Sequence, residues 1–246
     1  MNWPKALAKH GISLDINWQE LWSSIGTPLT DPTEENAWWR LIQRAWNAKN
    51  RHPTEPDKSC RLNCGCNDES MLHMITCSRA KPLWRACLKI CTTLFNERGG
   101  LNIVSAIVFN QDNGKMLGPL TRAFLRHATQ QYYQDVTNVA KHKRAFFWET
   151  TLHAALIRLR SAALRKGYEI RKHFVLRKHT HLVGVVAEEE RKKFAPLIMI
   201  DQQGHSALAP AFARIIEDAE SSATHRLRHV SAARGTARPK KRPRSA

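Results

Sequence analysis

The sequence predicts a mainly α protein: a helical metal-knuckle domain, then a basic region that is α-rich or α+β, then a disordered tail. Three observations carry this. Apolar residues recur at i, i+3/i+4 in several windows. Every cysteine lies between positions 60 and 91. The formal charge of +18 is unevenly spread over the 246 residues. The corresponding divisions are residues 1–98, 101–219 and 220–246.

Trp18, Leu21, Trp22 and Ile25 share one helical face, and Gly26, Pro28 and Pro32 break the helix. Thr33 is the expected N-cap of the next helix, with Asn36 in the position of the usual capping-box Glu or Gln. That helix should run from about Glu34 to Asn50, burying Trp38, Leu41, Ile42 and Ala45. Six of the eight tryptophans precede residue 50, and their helical spacing assigns them to the core rather than to base stacking. Residues 52–59 carry two prolines and no periodicity, and read as a loop.

A cluster follows that concentrates the chemistry of the chain: Cys60, Cys64, His73 and Cys77. Three thiolates and an imidazole are enough to close a tetrahedral shell around Zn2+, the metal that favours this donor set. Cys60 and Cys64 form one half of the clamp, with Gly65 suiting a tight knuckle. His73 and Cys77, four apart, form the other half from one helical turn. Cys66 could replace Cys60 or Cys64. Helices are expected to begin near Glu69 and to cover Lys81–Glu97. In the second, Cys87 and Cys91 belong to an apolar stripe and read as core thiols.

This stretch resembles the zinc-binding region that follows the polymerase domain of non-LTR retrotransposon reverse transcriptases. The resemblance runs over about residues 15–95. It rests on Trp18 and Trp22, on Trp38-Trp39-Arg40-Leu41 and Trp46, and on Cys60, Cys64-Gly65, Glu69-Ser70, His73, Cys77, Ala80 and Trp84 in that order. It implies tryptophan-bearing helices, bound zinc and a nucleic-acid-handling appendage derived from a retroelement. The spacings depart from the family: Cys-x3-Cys and His-x3-Cys stand where x2 and x4 are usual. No Tyr-x-Asp-Asp-like pair of a polymerase palm is present.

Beyond Gly99-Gly100, a candidate boundary, Leu101–Phe109 is apolar and β-branched, and periodicity does not separate helix from strand there. Helices are expected over Leu117–Lys141 and Arg144–Lys166, the second capped by Gly167. Strand-like content marks Tyr168–Leu176, His181–Val186 and Phe194–Ile200. Leu208–Ala219 returns to helix. From Ser221 onward there are eight Lys and Arg, no acid and few bulky apolar residues, so disorder is expected.

Residues 1–120 hold 14 Lys and Arg against 11 Asp and Glu; residues 121–246 hold 25 against 10. Such a balance predicts attraction to a polyanion. The expected partner is nucleic acid, RNA or DNA, bound largely without regard to sequence, and not a membrane. The candidate contacts are Lys141, Lys143 and Arg144, then Arg171, Lys172, Arg177 and Lys178, then Lys240, Lys241 and Arg242 of the tail. The tail also reads as a nuclear import signal. With no secretory or membrane-length apolar run, an intracellular, nuclear protein is expected. No catalytic residue is assigned. His179 and His181 lack a metal-binding partner, Asp201 reads as a turn cap, and Glu188–Glu190 as a charged surface segment. The alternative to a nucleic-acid binder is a protein-interaction scaffold that keeps an ancestral zinc fold.

Overall fold

The computed structural model describes residues 3–8, 11–26, 29–43, 45, 46, 48–52, 54–142, 145–176, 189, 191–200 and 205–235. The fold is mainly α, as the periodicity predicts. Three short helices open the chain: α1 (Trp3–Ala8), α2 (Trp18–Ser23) and α3 (Pro32–Ile42). The cap of α3 is Asp31, not Thr33. Pro32 needs no N–H partner at the first helical position, so the helix starts there. Asp31 Oδ1 accepts from Thr33 N at 2.7 Å and Glu34 N at 3.2 Å, and Glu34 Oε2 accepts from Asp31 N at 2.8 Å. This is a reciprocal capping box of the Asp-x-x-Glu kind. The helix ends at Ile42 rather than Asn50.

The tryptophans enter the core as expected. Trp3, Trp38, Trp46 and Trp84 are fully buried, while Trp22 lies at the surface. The indole N–H groups find backbone carbonyls: Trp3 donates to Ile42, Trp38 to Val108 at 3.0 Å and Trp46 to Ala37 at 3.0 Å. Each of these three indoles thereby buries a large apolar area with its one donor satisfied, whereas Trp84 Nε1 is buried without a hydrogen-bond partner among the described residues.

Helices α4 (Met71–Thr76) and α5 (Lys81–Leu94) follow the cysteine knuckle. The ambiguous run at 101–109 forms a wide π-helical stretch at Ser105–Phe109, closed by left-handed Asn110. A two-residue hairpin pairs β1 (Gln111–Asp112) with β2 (Lys115–Met116). Then α6 (Pro119–His142) and α7 (Trp148–Leu176) form an antiparallel pair. Asp135 meets Thr151 at 2.7 Å, and Gln131, further back along α6, meets Arg158, further along α7.

Helix α7 passes straight through Gly167, correcting both the expected cap and the expected strand at Tyr168–Leu176. The glycine serves packing instead. A Cβ at this position would lie 3.0 Å from Ser206 Cβ and 3.3 Å from Ile198 Cδ1. Those residues belong to the antiparallel hairpin β3 (Ile198–Ile200) and β4 (Ser206–Leu208), which packs on α7. The strand expected at Phe194–Ile200 is thus present only as its last three residues. His181–Val186 lies outside the described residues.

Helix α8 (Pro210–Gly235) continues 15 residues past the expected start of disorder at 220. Phe212, Ile216, Ala219 and Ala223 are buried along one face, and Ala223 carries that face beyond 220. Alanine is the strongest helix former and packs closely, so scarcity of bulky apolar residues does not prevent order here. Residues 236–246 lie outside the described set. Buried side chains from Trp3 to Ala219 form one contiguous cluster, with members on both sides of the boundary expected at 99–100.

Arg126 stands at the centre of this core. Its side chain is fully buried, its Cζ lies 3.8 Å from the Trp38 ring centroid, and Nη1 reaches Glu35 Oε2 at 2.6 Å. Nε donates to Asn110 Oδ1 at 3.1 Å and Nη2 to the Ser24 carbonyl at 3.2 Å. One guanidinium therefore joins α2, α3, the π-helical turn and α6. Arg126→Ala is expected to cost about 3–5 kcal/mol, because it removes the guanidinium that neutralises the Glu35 charge. Denaturant melts measure this, and Arg126→Met with Glu35→Leu should recover much of the loss.

Candidate metal centre

The centre is assembled from a turn and a short helix. The turn closes when Cys60 O accepts from Asn63 N at 2.9 Å and Cys66 O accepts from Cys60 N at 2.8 Å. Asn63 (φ 52°) and Gly65 (φ 88°) both take left-handed backbone. Asparagine is among the few side chains that tolerate this region. The extra residue in Cys-x3-Cys is accommodated there, so Cys60 and Cys64 still face the same point. No neighbour crowds a Cβ at Gly65, and its contribution is conformational.

The other two ligands come from α4. Ser70 is its N-cap, accepting from His73 N at 3.0 Å. His73 lies on the first turn of α4, and Cys77 is the residue that ends it. The four donor atoms of Cys60, Cys64, His73 and Cys77 all lie within 4.8 Å of one another. Cys60 Sγ and Cys77 Sγ are 3.8 Å apart, and Cys64 Sγ is 3.3 Å from His73 Nε2. Two Zn–S bonds of about 2.3 Å at a tetrahedral angle span about 3.8 Å, and a sulfur–nitrogen edge about 3.5 Å. The cluster can hold a metal ion with little movement.

Cys66 is not a member. Its Sγ donates to the Asp68 carbonyl at 3.4 Å and lies outside the group of four clustered donors. Cys87 and Cys91 are buried in α5, as expected of core thiols, and burial raises both thiol pKa values. Among the described residues, Cys60, Cys64, His73 and Cys77 form the one group with metal-ligating geometry.

The protons of the site are coupled. The Cys60 thiol is pushed up to about 12, first by its hydrogen bond to Cys77 and then by burial. Cys77 is lowered, chiefly because it accepts that bond. Of the two sulfurs, Cys77 is thus the readier to ionise. A dication would favour ionisation of both, so acid competes with metal at this site.

Behind the ligands stands Glu69, fully buried. Its carboxylate accepts from the Arg61 backbone N at 2.8 Å, from Arg61 Nε at 2.8 and 2.9 Å, and from Arg61 Nη2. It also accepts from Lys49 N at 3.2 Å. Arg61 lies inside the knuckle turn and Glu69 one residue before the α4 cap, so this ion pair sets the distance between the halves of the clamp. The sequence signal for it is an acid just before the Ser-x-x-His motif, paired with the cation that follows Cys60. On the other side, Tyr132 of α6 donates its hydroxyl to the Met74 carbonyl, and Trp84 packs edge-on against Tyr132 at 5.0 Å.

The expected nucleic-acid contacts are only partly placed. Lys141 is exposed on the last turn of α6. Arg171 and Lys172 lie on α7, with their side chains outside the description. Lys143, Arg144, Arg177, Lys178, Lys240, Lys241 and Arg242 lie outside the described residues, as do His179, His181, Asp201, Glu188 and Glu190. The aromatic group ahead of α7 is half-buried: Phe146 and Trp148 pack on the core, and Phe147 receives Arg226 over its ring at 5.4 Å. No described helix is long and apolar enough to cross a membrane.

Cys77→Ser and His73→Ala are each expected to abolish stoichiometric metal in the purified chain, while Cys66→Ser retains it; elemental analysis decides. Glu69→Gln should leave the four ligands in place but weaken metal binding about 10–100-fold, read by competition with a chelator.

Compared with protein families, with curated proteins and with solved structures, the chain matches none.

Proposed function

We propose that this chain is a non-catalytic, zinc-stabilised nucleic-acid-binding protein of retroelement origin. The observation that carries the reading is the donor set: three sulfurs and one imidazole nitrogen within 4.8 Å. Soft thiolates with one imidazole favour Zn2+ over harder cations. Four protein ligands leave no open position for water or substrate, which is the mark of a structural rather than a catalytic site. Such a site contributes on the order of 10 kcal/mol of apparent folding free energy. Here it ties the knuckle to α4.

The function then rests on the surface. A net charge of +18 and a pI near 10.1 give the chain a strong attraction for phosphate polymers. The retroelement origin rests on the motif order from Trp18 to Trp84. The basic C-terminal segment supports nuclear import.

Zinc-loaded chain should bind labelled RNA and DNA with little sequence preference. Affinity should fall about a thousandfold between 50 and 200 mM salt if roughly six phosphates are neutralised. Fluorescence anisotropy over a salt series measures the slope. A flat slope, or cellular partners that persist after nuclease treatment, would instead identify a protein-interaction scaffold.

A further inference from the structure

Helices α3 and α6 enclose a groove of about 470 Å³. Its walls are two polar stripes at helical spacing: Asn36 and Arg40 from α3, and Gln130, Gln134, Asn138 and Lys141 from α6. No carboxylate lines it. Gln130 is the informative member. It is only 6% exposed. Its neighbours on α6 are engaged: Gln131 and Gln134 give their carbonyl oxygens to Arg158 at 3.2 and 3.1 Å. The Gln130 carboxamide forms no hydrogen bond with any described residue, yet it lines the groove. Its polar atoms are not among the buried ones left unpaired, so the amide opens onto the groove, where its donor and acceptor are available to a ligand.

We infer that this groove takes one unpaired nucleotide of a single-stranded nucleic acid, with the base against Gln130 and the phosphate between Arg40 and Lys141. The inference rests on the nucleic-acid reading and specifies where and in what form the polymer is held. A carboxamide presents a donor and an acceptor in one plane, which matches the donor–acceptor edge of a base, adenine above all. A base in a duplex has its faces stacked and cannot enter a groove of this size without being extruded. The Arg40 guanidinium lies 5.7 Å over the Tyr133 ring, and the other aromatic neighbour of that ring is Trp46 at 4.9 Å. Arg40 is thereby held at the groove wall, where it can pair with phosphate or stack on a base. Lys141 stands at the end of the α6 stripe as a second phosphate contact.

The test uses the full, zinc-loaded chain and fluorescence anisotropy with labelled ten-residue oligo(A), oligo(C) and oligo(U) or oligo(T), each as RNA and as DNA, beside a duplex and poly-glutamate. Single strands of either sugar should bind more tightly than duplex, with oligo(A) favoured. Gln130→Leu, which keeps volume but removes the amide, should reduce oligo(A) affinity about tenfold, to the level of the other bases, and leave the salt slope intact. Lys141→Gln should weaken all strands alike and lower the slope by about one. Zinc content and thermal midpoint of both variants establish that the fold survives. If wild-type chain binds nucleic acid but neither variant changes base preference or slope, the groove assignment is overturned and the general reading stands. If wild-type chain binds no nucleic acid, both fall. Poly-glutamate bound as tightly as oligo(A), with the same sensitivity to Lys141→Gln, would mark an acidic-peptide surface and overturn the proposal.

Discussion

The Arg61–Glu69 pair is the constraint on which the metal centre depends. Cys60 and Cys77 are 17 residues apart, yet their sulfurs lie 3.8 Å from each other. A cation attracts sulfurs, but it does not choose the approach of two backbone segments. The buried carboxylate does. It holds the knuckle through Arg61 and the preceding loop through Lys49 N, while its own N–H and C=O bond Lys58 and Asn50. A buried ion pair is a poor source of net stability but a strong source of specificity, since one wrong arrangement leaves a charge unpaired. The buried pair therefore fixes the spacing of the two halves of the clamp through contacts that do not involve the four candidate ligand atoms.

The ligands were legible because coordination chemistry restricts residue types so severely. Cys60, Cys64, His73 and Cys77 are named by their spacing, and only Cys66 needed a three-dimensional answer: left-handed Asn63 and Gly65 turn its sulfur outward. The periodic helices α5 and α6 were legible for a related reason, since their buried faces consist of large side chains at fixed intervals. Errors cluster where small residues carry the packing. Gly167 looks like a cap, yet it is the point where a hairpin approaches α7. The segment from Ser221 looks too poor in apolar residues to order, yet it continues a helix seated by Phe212, Ile216, Ala219 and Ala223. Thr33 resembles a cap, but Pro32 moves the start of α3 back to Asp31. In each case one residue type serves two structural purposes, and the choice depends on a neighbour remote in sequence.

Charge divides in a similar way. The net +18 says how strongly the molecule attracts phosphate, but not which cations are available for it. Arg126 is spent entirely on Glu35, Asn110 and the Ser24 carbonyl, and burial lowers its pKa against the opposing pull of Glu35. Arg158 bonds Glu34 at 3.1 Å as well as the two glutamines of α6. Arg61 belongs to Glu69. These arginines organise the interior, where a planar fork with several donors is most useful. Lys141 and Arg40, at the surface, are the kind of cation that a polyanion can reach.

Helix α6 connects these roles because its successive faces meet different parts of the molecule. Arg126 and His127 face α3 and the segment before it. Tyr132 faces the metal centre and fixes α4 through the Met74 carbonyl. Gln130, Gln134, Asn138 and Lys141 face the groove. Tyr132 and Gln130 are two residues apart on one rigid element, so a change in how α4 is held is felt at the groove wall. The Met74 carbonyl that accepts from Tyr132 belongs to the same short helix that carries His73. The candidate metal centre and the groove are thus joined through a single hydroxyl and a single helix, so the position of the Met74 carbonyl bears on the wall that Gln130 forms.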